Sequence, residues 1–586
     1  MASNISADEA TRQILDWVNS KNDDFDSEEE DDLDDLNGPE GEDDVEFHID
    51  GIPDLDELDE AESDDPQNVE SDGQNVESDV QNEQNEENEE QEERGGQRGQ
   101  LPYRRKLLTR KRIVHSLESA LDADNYDDVR YKNKKYLNMV GYLGPKSNKN
   151  TEKIKWVSKA PPETGRQRTC DVIKDRNVGG VKLDSAARTV KSILDTFMLF
   201  FTVDMFNLVV LHTNKKIDQT IENVAAHRLE SDKVTYLYRT TVLEIKALFG
   251  LMYFRGLLGQ GLQYSQNLFS DVCGHAAFGA TMSSSRFKFL LSHLRFDDPE
   301  TRQERWKTDR FAAIRELFEL FNDNLSKFLV PSAFLSIDET LYPMRHQIAF
   351  RQYNPNKPHH YGLLFKSLND ATKPFTYKSV AYAGKPEAGT GPYYLEQTLD
   401  YVKYLVRKTL EHVSLIGRNI STDRLYTSIA QAIWLLKKGI TSVGTMGTGR
   451  LGVPDELRKP EKDRPVYSST CHFEEKDMDM CLFSYTVKTK SKGMKNVLML
   501  STMRPIHGVT KDEVKKPSIY KLYDFTKGGT DIVDQMNDFY STRAKSLRWD
   551  MIAFYYMLDT IRVNSRTLWS ETQNIDLKKI KMHSFA

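Results

Sequence analysis

The 586-residue sequence carries 90 acidic and 80 basic side chains, a formal net charge of -10. Residues 1–100 hold 38 of the acids against 4 bases, leaving 52 acids and 76 bases in residues 101–586, so a net of -34 precedes a net of +24. Length excludes a single small core, and the charge division excludes a uniformly acidic protein: a basic body suited to a polyanionic partner follows an acidic head.

Residues 1–100 have few aromatic or branched apolar residues and a tandem QNVESD (67–72 and 74–79). They bury too little apolar surface to offset chain entropy and are expected to be disordered. No apolar leader opens the sequence, so no secretory signal is expected. Residues 101–183 form a basic segment. Six Lys/Arg fall within 104–112, a nuclear import signal or nucleic-acid arm, with a solvated linker as the alternative. Lysines interleaved with Tyr131, Tyr136 and Trp156, and Arg166 and Arg168 in GRQRT, suggest a segment that orders on a phosphate backbone.

From 184 to 330 the pattern is helical: AARTVKSILDTFMLFF, TVLEIKALFGLMYFRGLL, SSSRFKFLLSHLRF and RFAAIRELFELFNDNLSKFL repeat apolar residues at i, i+3, i+4 and i+7. The third also carries Arg286, Lys288, His293 and Arg295, a basic side assigned to DNA. The apolar run 198–211 is broken by Asp204, too short to cross a bilayer, and expected to be a buried helix.

At 331 the style changes. SAFLSIDETLYPMR reads as a strand ending at Asp338, FKSLND and TYKSVAYAGK as further strands, and Ile420 leads another into Asp423. The core's first part is drawn at 331–440. Residues 441–517, with strand pairs such as CLFSYTVKTK and NVLMLST, look like an inserted β unit, and 518–542 returns to the core. In DFTKGGTDIVDQMNDFY, Thr530 is a good N-cap, and Asp531, Asp534 and Asp538 share one helix face. Residues 543–586 close with the helix RWDMIAFYYMLDTIRVNSRTLW, in which Trp549 is expected in the core.

Asp338, Asp423 and Asp531 thus sit at ends of regular elements. Hard divalent cations prefer carboxylate oxygens, and two such ions clamp the attacking and leaving oxygens of a phosphoryl displacement. Caps or plain surface acids are the competing explanation. The four cysteines (170, 273, 471 and 481) form no CxxC pair, which argues against a zinc finger or a disulfide scaffold.

SIDETLYPMR, YNPNKPHHYGLLF, STDRLYTS, TKGGTDIVDQM and RW (548–549), in this order, resemble the successive motifs of piggyBac-type DNA transposases, from about Ala187 to Leu568. The resemblance implies an α/β fold: an RNase H-like catalytic core, a β-rich insertion domain, and a mainly helical dimerisation and DNA-binding domain built from 184–330 and 543–586. It implies that Asp338, Asp423 and Asp531 are catalytic and hold two Mg²⁺ ions (Mn²⁺ substituting), with Asp534 a fourth acid. It also implies double-stranded DNA as substrate (transposon ends and a TTAA target), a homodimer, cut-and-paste chemistry through hairpin ends, and a nuclear location. Arg351, Lys357 and Lys366, Arg450 in GTMGTGRLG, and Arg543, Lys545 and Arg548 are assigned to DNA, with surface charge that makes no contact as the alternative. The family usually ends in a cysteine-rich zinc domain, whereas this sequence has no Cys beyond Cys481, so zinc is not expected. No membrane, nucleotide cofactor or small-molecule substrate is expected. A domesticated relative that binds DNA without cutting it is the second functional class.

Overall fold

The computed structural model describes residues 126–127, 138–145, 151–159, 168–175, 177–227, 235–272, 274–355, 357, 359–458, 464–476, 479–489, 493–503, 508–580 and 584. Residues 1–125 and Arg166 lie outside these, and with them the readings of an acidic head and a basic arm.

Eleven strands form one mixed sheet. In chain order they are β1 (Asn138–Tyr142), β2 (Lys153–Val157), β3 (Phe334–Pro343), β4 (Gln352–Tyr353), β5 (Tyr361–Asp370) and β6 (Thr376–Ala381). They continue as β7 (Asn419–Thr422), β8 (Thr441–Met446), β9 (Ser469–Glu474), β10 (Cys481–Thr489) and β11 (Gly493–Ser501). The spatial order is β1-β2-β9-β10-β11-β8-β7-β3-β5-β4, with β6 also on β5. β3 pairs antiparallel with β5 and parallel with β7, and β7 runs parallel to β8. Thr441–Met446, which the sequence reading put in the insertion, is therefore continuous with the first core strands. The remaining insertion strands extend the same sheet through β11, antiparallel to β8.

β3 is longer than expected. It runs through Asp338 to Pro343, held by nine register pairs to β5, so Asp338 is mid-strand rather than at its end. The polar run Asp338-Glu339-Thr340 looked like a terminus, but partners from elsewhere keep it inside the sheet.

The helices form where caps permit. α1 (Ile193–Phe200) starts with a Ser192/Asp195 capping box. A break at Phe201–Thr202 separates it from α2 (Val203–His227), so the apolar run 198–211 is two helices. Among the described residues no single helix is long and apolar enough to cross a membrane. α3 (Val242–Leu257), α4 (Ala276–Thr281), α5 (Ser284–His293), α6 (Pro299–Trp306) and α7 (Arg315–Leu325) complete the first helical part. α8 (Thr398–Leu410), α9 (Ile429–Lys437) and α10 (Asp455–Arg458) follow, then α11 (Ser518–Lys527), α12 (Gly529–Asp538) and α13 (Trp549–Gln573).

α13 is buried nearly all round, which places it at the centre of the core. Phe554 packs on Phe201, Phe249 and Phe296, and Tyr556 stacks on Phe365 of β5 at 3.8 Å. Some of its polar residues tie it to the sheet. Asn564 exchanges bonds with the Thr376 backbone N–H and carbonyl at 2.9 and 2.8 Å, pinning the helix to β6. Trp549 packs against Phe311 and Phe350, as expected of a core residue.

Candidate active site

Three elements meet beside the middle of β3. Alternation along the strand sends Ser336, Asp338 and Thr340 to one face, and Glu339 to the other. α12 covers the first face. Thr340 Oγ1 donates to Asp534 Oδ1 at 2.6 Å, and Asn369 Nδ2 of β5 donates to Thr530 Oγ1 at 2.7 Å. Thr530 is thus not the N-cap: Gly528 holds that position, Thr530 lies one residue inside the helix, and its hydroxyl ties α12 to the sheet. Gly529 is where the close approach demands glycine. A Cβ there would come 2.4 Å from Ser336 Oγ and 2.6 Å from the Asp370 carbonyl, whereas one at Gly528 would meet nothing within 4 Å.

The far end of α12 is clamped by α13. Arg562 donates to the carbonyls of Met536 and Asn537 at 2.9 and 3.3 Å. Fully buried Asp559 accepts from Tyr342, Ser541 and both the N–H and hydroxyl of Thr542, at 2.6–3.0 Å. Asp423 follows β7 directly, and its Oδ1 accepts from the backbone N–H groups of Leu425 and Tyr426 at 3.0 and 3.2 Å.

The electrostatics tie these acids together. Burial, then the charges of Asp423 and Asp531, push the Asp338 carboxyl well above the usual range. Burial takes Asp423 up to about 6, with Glu339 adding to it against the two backbone N–H groups. Burial takes Asp534 up to about 7 despite its bond from Thr340 and the charge of Lys357. The three expected acids therefore share one field. They do not form a closed cage: among the described residues, no group of three His, Cys, Asp or Glu is arranged to hold a metal ion.

Of the expected DNA contacts, Lys357 joins the acids. Burial alone would lower its pKa, but the charges of Asp534, Asp338, Asp531 and Glu339 outweigh burial and raise it. The others are dispersed. Arg351 lies over the Tyr361 ring at 4.3 Å, Arg543 over Tyr342 at 6.0 Å and exposed Lys545 over Tyr264 at 5.7 Å. Arg450 Nη2 donates to the carbonyls of Arg424 and Leu425, bracing the loop after Asp423.

Four cations assigned to DNA are consumed internally. Lys366 is only 7% exposed, packed over the rings of Tyr401 and Tyr426 at 4.4 and 5.0 Å. Arg548 is spent on Asp550 and the Leu294 carbonyl, and Arg168 on Asp171, Asp479 and the Thr502 carbonyl. Arg286 is buried, paired with Glu244 at 2.6 Å and bonded to the carbonyls of Tyr236 and Tyr238. In each case the fold offers carboxylates, carbonyls or ring faces that satisfy the cation without DNA. Glu339 escaped the sequence reading. Its signal was its place beside Asp338; on the opposite face of β3 it accepts from the Tyr426 hydroxyl at 3.3 Å.

Asp338 on a central strand, Asp423 at the end of its parallel neighbour and Asp531 on a late helix are thus carried by elements of one packed unit. Residues 194–566 match the family model described as Transposase IS4, and the chain belongs to that family. Within it the chain is of the piggyBac type. Its structure resembles the cryo-EM structure of a piggyBac transposase synaptic complex with hairpin DNA, with a TM-score of 0.60, 29% identity and coverage of 69% of this chain and 80% of that one. It is also 23% identical over 381 residues to PiggyBac transposable element-derived protein 2 of Homo sapiens, covering 63% of this chain and 60% of that relative's length.

Proposed function

We propose that the protein is a divalent-metal-dependent DNA transposase that cuts and rejoins phosphodiesters at the β3–β7–α12 site. The observation that carries this reading is the seating of α12 on β3 by the Thr340–Asp534 bond, beside the parallel strand β7 that leads into Asp423, so that three acids remote in sequence lie on adjoining elements. The strand order β6-β5-β3-β7-β8, with three antiparallel strands followed by two parallel to β3, supports an RNase H-like core. Asp338, Asp423 and Asp531, with Asp534 beside them, would hold Mg²⁺ or Mn²⁺. Bound there, such ions supply charge stabilisation at the attacking and leaving oxygens. Lys357 brings a cation for the substrate phosphate, and the α13 clamp fixes α12 so that its acids keep their spacing from β3. Transposon ends, a TTAA target, a homodimer and a nuclear location belong to the same reading and rest on kinship with piggyBac.

The test is cleavage of a labelled duplex copied from the genomic flanks of the protein's own gene, with Mg²⁺ or Mn²⁺. Wild type should nick it, and Asp338→Asn, Asp423→Asn or Asp531→Asn should each bind but not nick. DNA binding without cutting is the second reading, favoured by the human relative being described as transposable element-derived. Wild type that shifts the duplex and never cuts it would decide for that reading.

A further inference from the structure

Lys366 does not fit the role of a phosphate ligand, and its surroundings point elsewhere. It lies directly opposite Glu339 in the antiparallel β3–β5 pair, so both side chains leave the same face. Its ammonium rests over Tyr401 from α8 and over Tyr426, which follows Asp423. Tyr426 in turn links two acids: its hydroxyl donates to Glu339, and its backbone N–H donates to Asp423. Lys366, Tyr426, Glu339 and Asp423 are therefore one packed group behind the candidate metal site. A buried ammonium is costly unless acids compensate it. Here burial lowers the Lys366 pKa while Glu339, Asp423 and Asp338, in that order, hold it up.

We propose that Lys366 is a built-in counter-ion of the acid cluster, a positioning residue whose fixed charge sets how tightly the Asp423 side holds divalent cations. Lys366 stands opposite Glu339 across the β3–β5 pair and reaches Asp423 through Tyr426, whose ring it covers. Removing a positive charge from beside acids that bind a cation must tighten cation binding, whereas removing a merely structural lysine lowers stability without doing so.

This inference rests on the metal-binding reading of the acids, and the experiment separates the two. Full-length protein without DNA is titrated with Mn²⁺ at pH 7 by calorimetry, and the Mn²⁺-dependent rise in Tm is followed in parallel. Lys366→Met should bind Mn²⁺ at least about fivefold tighter than wild type, and Lys366→Arg should behave as wild type. Lys366→Gln replaces the Met variant if that does not fold. Binding by the neutral variant that equals or falls below a measurable wild-type affinity overturns the counter-ion role alone. Absence of Mn²⁺ binding in both proteins overturns the metal reading and this inference with it.

Discussion

Asp534→Asn should stabilise the metal-free protein, and the effect should depend on pH in a defined direction. In the fold Asp534 is raised from 3.8 to about 7. A carboxyl raised on folding gives its full stability below the unfolded value of 3.8 and loses it as pH rises through about 7. At pH 8 the ionised side chain would cost about 4 kcal/mol, and at pH 5 about 2 kcal/mol. Asp534 is half-buried, so solvent screens part of this, and a net gain of about 1–2 kcal/mol at pH 8 is the expected outcome. Asparagine keeps the acceptor for Thr340 Oγ1, so the hydrogen bond that seats α12 survives. In EDTA, Tm should rise by about 2–6 °C at pH 8 and by less at pH 5. An equal gain at both pH values, or a loss at pH 8, would refute the view that Asp534 is held ionised against its surroundings.

Three further outcomes follow from the geometry. Single-turnover DNA cleavage should climb as pH rises through about 6, where Asp423 loses the proton that burial lets it keep; a flat profile from pH 5 to 7 would exclude Asp423 as an ionised ligand. Gly529→Ala should cost about 1–3 kcal/mol, since its Cβ would enter Ser336 Oγ and the Asp370 carbonyl. Gly528→Ala should be within about 0.5 kcal/mol of neutral, and denaturation melts of the pair compare them directly. Asp559→Ala should lower stability by about 3 kcal/mol or more, because it strips four buried donors of their acceptor; a smaller loss would mean that water replaces the carboxylate.

The candidate acids could be picked out from the sequence because they stand where local signals are strong. Asp423 directly follows the short strand Asn419–Thr422, and Asp531 comes two residues after a Gly-Gly pair. The position of Asp338 within β3 was not legible, since pairing with β5 sustains a strand through residues that look terminal. Thr530 looked like a cap because capping is a local pattern, whereas its actual partner, Asn369, lies 161 positions away. The cations were the least legible. Arg168 and Asp479 are 311 positions apart, and no periodicity tells a solvated guanidinium from one spent on such a partner. Lys366 failed for the same reason: a basic residue near acids reads as a phosphate hook until the rings of Tyr401 and Tyr426 close over it.

The hairpin β1–β2 has a consequence for any shortened form of the chain. It meets β9 at only Trp156 and Val157, backed by the Lys155–Glu475 ion pair and by the indole of Trp156 donating to the Gly452 carbonyl at 3.0 Å. A protein begun after residue 160 would lose this seam. It would then leave Phe473 and Glu474 unpaired as well, turning the whole length of β9 into an open edge, a template for a foreign strand, and would self-associate even with the candidate acid site intact.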